Sequence, residues 1–338
     1  MASTTIAAAV VRTITTDYLA AEMPSAAKLI ASGAVTVDPT PPFFSGNVPG
    51  GVNVAGTPSA NGSGGGATVV IPEHLEFTTA DTQIPDDDTE ETLNAMTTAS
   101  DTGVVVRRSA NMAVKDSAVV ASAEDFNAEA IRQAPGYWAK RIETAIYNSL
   151  TGCFATALNS ASYVLSPGTP FQRNAIPAIM KAASIKDQWP LYSIWLMNGV
   201  QFADAFNDGL VTYVEAGQFG ERLLMTGEIA TIAGKQVVVD DNIPETDGTT
   251  YLLKPNSLYL GFQTNLTVET ARYARLGGGL WAHFIRQHYV PHVRRMIYGG
   301  AANPTNATLA LGASWTVSGA LTANSKLTGV FKIRFENV

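Results

Sequence analysis

The sequence predicts an α+β fold. Three observations point there: a helical apolar repeat in the middle of the chain, long alternating segments around residues 266–300, and an order of strands and helices without a regular βαβ unit. The 338 residues suffice for one large domain or two ordinary ones, with a sizeable core.

In chain order, residues 2–40 mix Ala, Thr and Ser, and the spacing of Tyr18, Leu19, Ala26 and Ile30 suggests a short amphipathic helix. Residues 39–66 are Pro, Gly, Ser and Asn, ending in Asn61-Gly-Ser-Gly-Gly-Gly66. That composition is a flexible linker with nothing from which to build a core. Residues 67–71 (ATVVI) read as a strand closed by Pro72. The polar stretch that follows carries Asp86, Asp87, Asp88, Glu90 and Glu91, and residues 104–108 and 111–114 read as the returning strand. Together they predict a long hairpin with an acidic tip.

Ser122, with Asp125 three residues on, reads as the start of a helix. Phe126, Ala130, Ala134, Trp138, Ile142, Ala145, Ile146 and Leu150 then recur in steps of three or four, a helix of about seven turns. Pro135-Gly136 lies in its middle. Proline removes a helical hydrogen bond and clashes with the preceding turn at about 3 kcal/mol, which predicts a kink or a break. Residues 171–186 read as a second helix, 191–197 (LYSIWLM) as a buried strand and 200–206 as a short helix. Residues 230–240 form a tight turn at Gly234 into a valine strand, and 251–253 and 257–262 are further strands. Residues 266–275 and 280–298 flank Gly277–Gly279 as a long hairpin, and 315–317 and 329–335 close the chain as strands.

Charged residues make up 15% of the chain, against roughly a quarter in an average soluble domain. Charges keep a surface wet, so this scarcity implies that much of the surface meets protein. The net charge of −7 supplies no overall basic field for sequence-independent nucleic-acid binding, although an acidic container around DNA is compatible with it. The single cysteine, Cys153, excludes an intrachain disulfide. No signal-peptide pattern opens the chain and no run of 18 apolar residues predicts a membrane span. Serine-hydrolase, zinc-protease, phosphate-loop and dinucleotide signatures are absent, so no enzyme activity and no cofactor is expected.

Several phrases carry a resemblance. They are GVVVRRSANMAVKDS at 103–117, YWAKRIETAIYNSLTGCF at 137–154, residues 195–206, ATIAGKQVVVDDNIP at 230–244 and NPTNATLALGASWTV at 303–317. Over roughly residues 67–338 the chain resembles the major capsid proteins of tailed bacteriophages, with the Hong Kong 97-like fold. The resemblance implies an N-terminal arm with Gly-rich linker (1–66), an E-loop hairpin (67–117), a spine helix (118–158), an A-domain (159–265), a P-domain hairpin (266–300) and C-terminal strands returning to the body (301–338). It implies a coat protein made in the host bacterial cytoplasm and found in the virion, assembling with itself as hexamers and pentamers around double-stranded DNA without sequence-specific binding. Portal, scaffolding and decoration proteins are the implied partners. An encapsulin, a cellular nanocompartment shell on the same fold, is the alternative. The start at Met1 suggests that no N-terminal scaffolding segment is removed.

Each candidate site has an ordinary reading beside it. Asp86, Asp87, Asp88, Glu90 and Glu91 lack the Asp-x-Asp-x-Asp-Gly spacing of a calcium loop. They are either a solvated loop or a tip docking on basic side chains of a neighbouring copy, with Arg107, Arg108, Arg294 and Arg295 as candidates. His283, His288 and His292 read as ordinary strand positions rather than a zinc site, and Cys153 as a buried structural residue. Residues 67–114 contain no lysine, so covalent crosslinking through a hairpin lysine is not expected.

Overall fold

The computed structural model describes residues 28–38, 68–74, 98–122, 126–182, 184–214, 229–243, 248–263, 267–274 and 279–336. In chain order these form α1 (Lys28–Ala31), β1 (Val35–Asp38), β2 (Thr68–His74), β3 (Thr98–Val104), β4 (Val106–Lys115), α2 (Asp116–Ser122), α3 (Phe126–Ala155) and β5 (Val164–Leu165). There follow α4 (Ala175–Met180), β6 (Ile194–Met197), α5 (Gly199–Asn207), β7 (Val211–Val214), β8 (Ile229–Ile232), β9 (Lys235–Val239), β10 (Thr249–Leu253) and β11 (Leu258–Phe262). The last elements are β12 (Thr267–Tyr273), β13 (Leu280–Val293), β14 (Met296–Tyr298), α6 (Asn306–Leu309), β15 (Trp315–Val317), α7 (Gly319–Ala323) and β16 (Val330–Arg334). The class is α+β, as the sequence predicts.

Three sheets organise the described residues. A seven-stranded sheet runs β5-β16-β10-β6-β9-β8-β7. A five-stranded sheet runs β1-β11-β13-β12, with β4 also paired to β13, and a four-stranded sheet runs β15-β14-β3-β2. The 14-residue β13 is the common seam: β4 pairs with it from Leu280 to Tyr289, β12 from Leu280 to Arg286, and β11 from Tyr289 to Val293.

The apolar pattern explains the packing. Ile194-Trp-Leu-Met197 is buried at every position. Ile194 and Leu196 belong to the main core with α3, while Trp195 and Met197 belong to a second core with Phe171, Phe331 and Phe335. A strand covered on both faces reads as a continuous apolar run rather than an alternation. On α3, Ala134, Trp138, Ile142, Ala145, Ile146 and Leu150 are buried, while Lys140 and Arg141 are exposed. The helix lies on β13, and the Trp138 indole donates to the Gln287 Oε1. At its C-terminal end, Gly152 admits the backbone of Leu309 and the Trp315 indole: an added Cβ would lie 2.1 Å from the Leu309 carbonyl oxygen and 2.5 Å from the Trp315 Nε1.

Several sequence expectations need correction. Strand β2 does not stop at Pro72 but continues to His74, with Pro72 opposite Ser100. It is an outer strand paired on one side, where a missing N–H is tolerated. Residues 104–108 do not return along β2 as one strand. The chain changes sheets at Val105, which is buried with Val69 and Val290, and β4 joins β13 instead. Ser122 ends α2 rather than capping the long helix, and residues 123–125 lie outside the described residues. Helix α2 begins directly after β4, where the Asp116 carboxylate accepts from Arg272 at 2.7 Å. The helix expected over 171–186 shrinks to Ala175–Met180, with a 3-10 turn at Lys186–Leu191. Phe171 instead stacks on Phe335 with ring centroids 4.3 Å apart, and the buried Ser184 hydroxyl donates to the Ser162 carbonyl. Leu191 belongs to that turn and is exposed, so the strand begins at Ile194. Of the kink or break expected at Pro135, the break is absent: α3 is continuous from Phe126 to Ala155.

Candidate inter-subunit surface

Strand alternation sorts the five-stranded sheet into two faces. Ile285, Gln287 and Tyr289 of β13, with Ala110 of β4 and Val268 of β12, are buried toward α3. The opposite face carries Lys115 and Arg107 from β4, Arg286 and His288 from β13, and Glu269 from β12, paired so that their side chains share one side. Glu269 and Arg286 form an exposed ion pair at 2.7 Å. Arg107, Lys115 and Arg286 are exposed and give this face a cationic character unlike the acidic chain as a whole. His288 is half-buried; burial, and then the Arg107 guanidinium, hold its imidazole below the usual value, so it is neutral at pH 7.

The four candidate arginines are not brought together in one role. Arg107 points to solvent, and its backbone N–H donates to Asn303 Oδ1 at 2.9 Å. Arg108 turns to the C-terminal segment, donating to the Pro304 carbonyl at 2.6 Å and to Asn306 Oδ1 at 3.3 Å. Arg294 and Arg295 form the turn from β13 to β14. Arg294 donates to Thr36 Oγ1 at 3.3 Å and lies over the Tyr259 ring. Arg295 has a left-handed backbone (φ 67°); its N–H donates to Asp101 Oδ2 at 2.5 Å and its guanidinium to the Leu327 carbonyl. Asp86, Asp87, Asp88, Glu90 and Glu91 lie outside the described residues.

Pro135 is buried on α3, and Gly136 beside it has open space where a Cβ would stand. No close approach requires glycine there, so its effect is to weaken the helix by about 1 kcal/mol relative to alanine. Exposed Tyr137 follows, with the Arg141 guanidinium 5.0 Å over its ring.

The remaining candidates sit as ordinary structure. His292 is fully buried, 3.7 Å from the Asp101 carboxylate, and His283 Nδ1 meets Thr270 Oγ1 at 3.2 Å. Among the described residues no three His, Cys, Asp or Glu side chains gather as metal ligands. Cys153 is fully buried, and burial pushes its thiol well above the ordinary range, which removes nucleophilic character. No described helix is long and apolar enough to cross a membrane.

Sequence reasoning missed one polar cluster. Glu143 is buried in α3 and its Oε1 accepts the Leu29 backbone N–H at 2.7 Å. Nearby, the Tyr147 hydroxyl donates to Asp240 Oδ2 at 2.7 Å. The signal was present: Glu143 falls on the stripe formed by Ala139, Ile146 and Leu150, where a carboxyl has no place unless it is partnered.

No protein-family model matches the chain. The major capsid protein of Bacillus phage SPP1 is 26% identical over 269 residues, covering 76% of this chain and 80% of that protein. A cyanophage Pam1 capsid structure superposes with a TM-score of 0.53 at 11% identity, covering 80% of this chain and 85% of that one. A structure from Mycobacterium phage Bobi superposes at 0.51 with 15% identity, covering 92% of this chain and 91% of that one. The mixed α+β fold is thus one found in phage capsid structures.

Proposed function

We propose that this chain is the major capsid protein of a tailed bacteriophage and that its work is structural: copies of it close into the icosahedral head. The observation that carries this is the relation to the SPP1 major capsid protein across three quarters of the chain, together with the capsid fold. The chemistry agrees. A charge-poor chain of this size, with the exposed edges of three sheets, leaves surface that other copies can cover. The relatives found are phage proteins, so the cellular nanocompartment reading is not favoured.

In finer detail, β2 and β3 with the residues between them are the E-loop, α3 is the spine helix, the seven-stranded sheet is the core of the A-domain, and β12–β13 are the P-domain hairpin. Hexamers and pentamers are the building units, double-stranded DNA is the content, and portal, scaffolding and decoration proteins are the further partners. The acidic residues 86–91 dock on a neighbouring copy. Arg107 suits that role, because it is exposed on the cationic sheet face, whereas Arg108, Arg294 and Arg295 serve their own chain. Negative-stain electron microscopy of the purified full-length protein tests the central reading. Uniform angular shells are expected, and small monodisperse particles under all assembly conditions would overturn it.

A further inference from the structure

A carboxyl group, Glu143, lies buried beneath residues 28–38. Residues 28–38 form α1 and β1, and they are part of the body: Leu29 and Ala34 are fully buried, and β1 pairs in parallel with β11 from Val35–Leu258 to Asp38–Gly261. At the start of α1, Leu29 presents one of the backbone donors that a helix cannot satisfy internally. Its partner comes from another element, Glu143 on α3, at 2.7 Å. Glu143 is 2% exposed. The nearby ammonium group, Lys28, is exposed and donates to the Val239 carbonyl at 3.1 Å rather than pairing with Glu143. The other charge acting on Glu143 is Asp240, at the end of β9, which accepts from Tyr147 and from both the backbone N–H and the side-chain amide of Asn242. Among the described residues, Glu143 and Asp240 thus lie close together with no buried cation pairing Glu143.

We infer that the docking of residues 28–38 on α3 is a proton-dependent latch, in which Glu143 holds α1 as a neutral acid and loosens it as a buried carboxylate. Ionised, Glu143 would be a buried negative charge repelled by Asp240; lifting α1 returns it to water. Neutral, it keeps the acceptor oxygen that Leu29 uses and loses the repulsion. Burial first, then Asp240, push the Glu143 carboxyl up from its ordinary 4.5 to about 7, against the pull of the Leu29 amide and of Lys28. The sign follows. An acid raised in the docked state favours docking fully below 4.5, and that advantage is lost as the pH rises through about 7. Residues 28–38 are therefore held in mild acid and freer in mild base.

Hydrogen exchange of the full-length chain tests it, with Glu143→Gln measured at each pH so that intrinsic exchange chemistry cancels. Relative to that variant, the wild-type amides of residues 29–32 should lose about a hundredfold in protection between pH 5 and pH 8. A ratio that stays constant across that range overturns the latch. Infrared spectroscopy supplies a readout that does not depend on the variant's docking. A protonated-carboxyl band should be present in the wild type at pH 5, fade with a midpoint near 7, and be missing from Glu143→Gln. Its absence from the wild type at pH 5 also overturns the inference. Asp240→Asn should move the midpoint down.

Discussion

Trp138 donates its indole N–H to Gln287 Oε1 at 2.5 Å, with both side chains buried, and so joins the long helix to β13 across 149 residues of sequence. Trp138→Phe keeps most of the ring and leaves the Gln287 oxygen buried without this donor. The expected loss is about 1–3 kcal/mol, because an unsatisfied buried acceptor costs its desolvation. Denaturant unfolding of the unassembled chain measures it. Pairing the change with Gln287→Leu should cost less than the two single changes summed, and strict additivity would show that the bond is not the link.

Gly152 is fixed by sterics. An alanine Cβ would meet the Leu309 carbonyl at 2.1 Å, a backbone atom that cannot swing away. Gly152→Ala should destabilise the chain by about 3 kcal/mol, toward the upper end of ordinary overpacking. Gly136→Ala, on the same helix with open space at its Cβ, should be neutral or stabilising. Melting temperatures of the two variants measured together check the contrast.

Pro135 lies well inside a continuous helix, where it withholds a hydrogen bond from the carbonyl one turn earlier. Pro135→Ala should raise the unfolding free energy of the unassembled chain by up to about 3 kcal/mol. If a bend at 135–136 lets one sequence fit several lattice positions, the stiffer variant should give shells of altered size or lower yield. Unchanged shells by electron microscopy would mean that the proline is merely tolerated.

Docking of the acidic residues on a neighbour's cationic sheet face should depend on salt. Replacing Asp86, Asp87, Asp88, Glu90 and Glu91 with their amides should slow assembly, followed by light scattering, and flatten its response to ionic strength. Arg107→Gln should do the same more weakly, since each exposed pair is worth about 1 kcal/mol or less. Normal assembly rates at every salt concentration would remove the docking role.

The fold class, the long helix and most strands were legible because each rests on local periodicity. Ile142 and Ile146 mark a helix face, and the Ala233-Gly234 turn before the Val237–Val239 run marks a hairpin end, with both turn residues at positive φ. What escaped depends on partners distant in sequence. Nothing near Val105 says that the chain changes sheets there; Val69 and Val290 decide it. Phe171 looks like the start of a helix until Phe335 stacks on it. The four arginines look alike in sequence, and it is Pro304, Thr36 and Leu327 that give three of them partners within the chain. Glu143 stands on the apolar stripe of its helix, but nothing near it in sequence names its partner, the amide of Leu29.

The parallel pairing of β1 with β11 also sets a timetable. Thr36 and Asn256 meet side chain to side chain across 220 residues of sequence. During synthesis, β1 has no strand partner until residue 262 has been added, although α1 can already meet Glu143. The long helix and its first sheet partners are translated in between, while β1 waits unpaired. Contacts of such long range are the slow step of folding, and the early segment is exposed to chaperones and to wrong partners for that whole interval. A chain shortened before β11 should therefore emerge with its N-terminal segment cleavable, and lengthening past residue 262 should protect it.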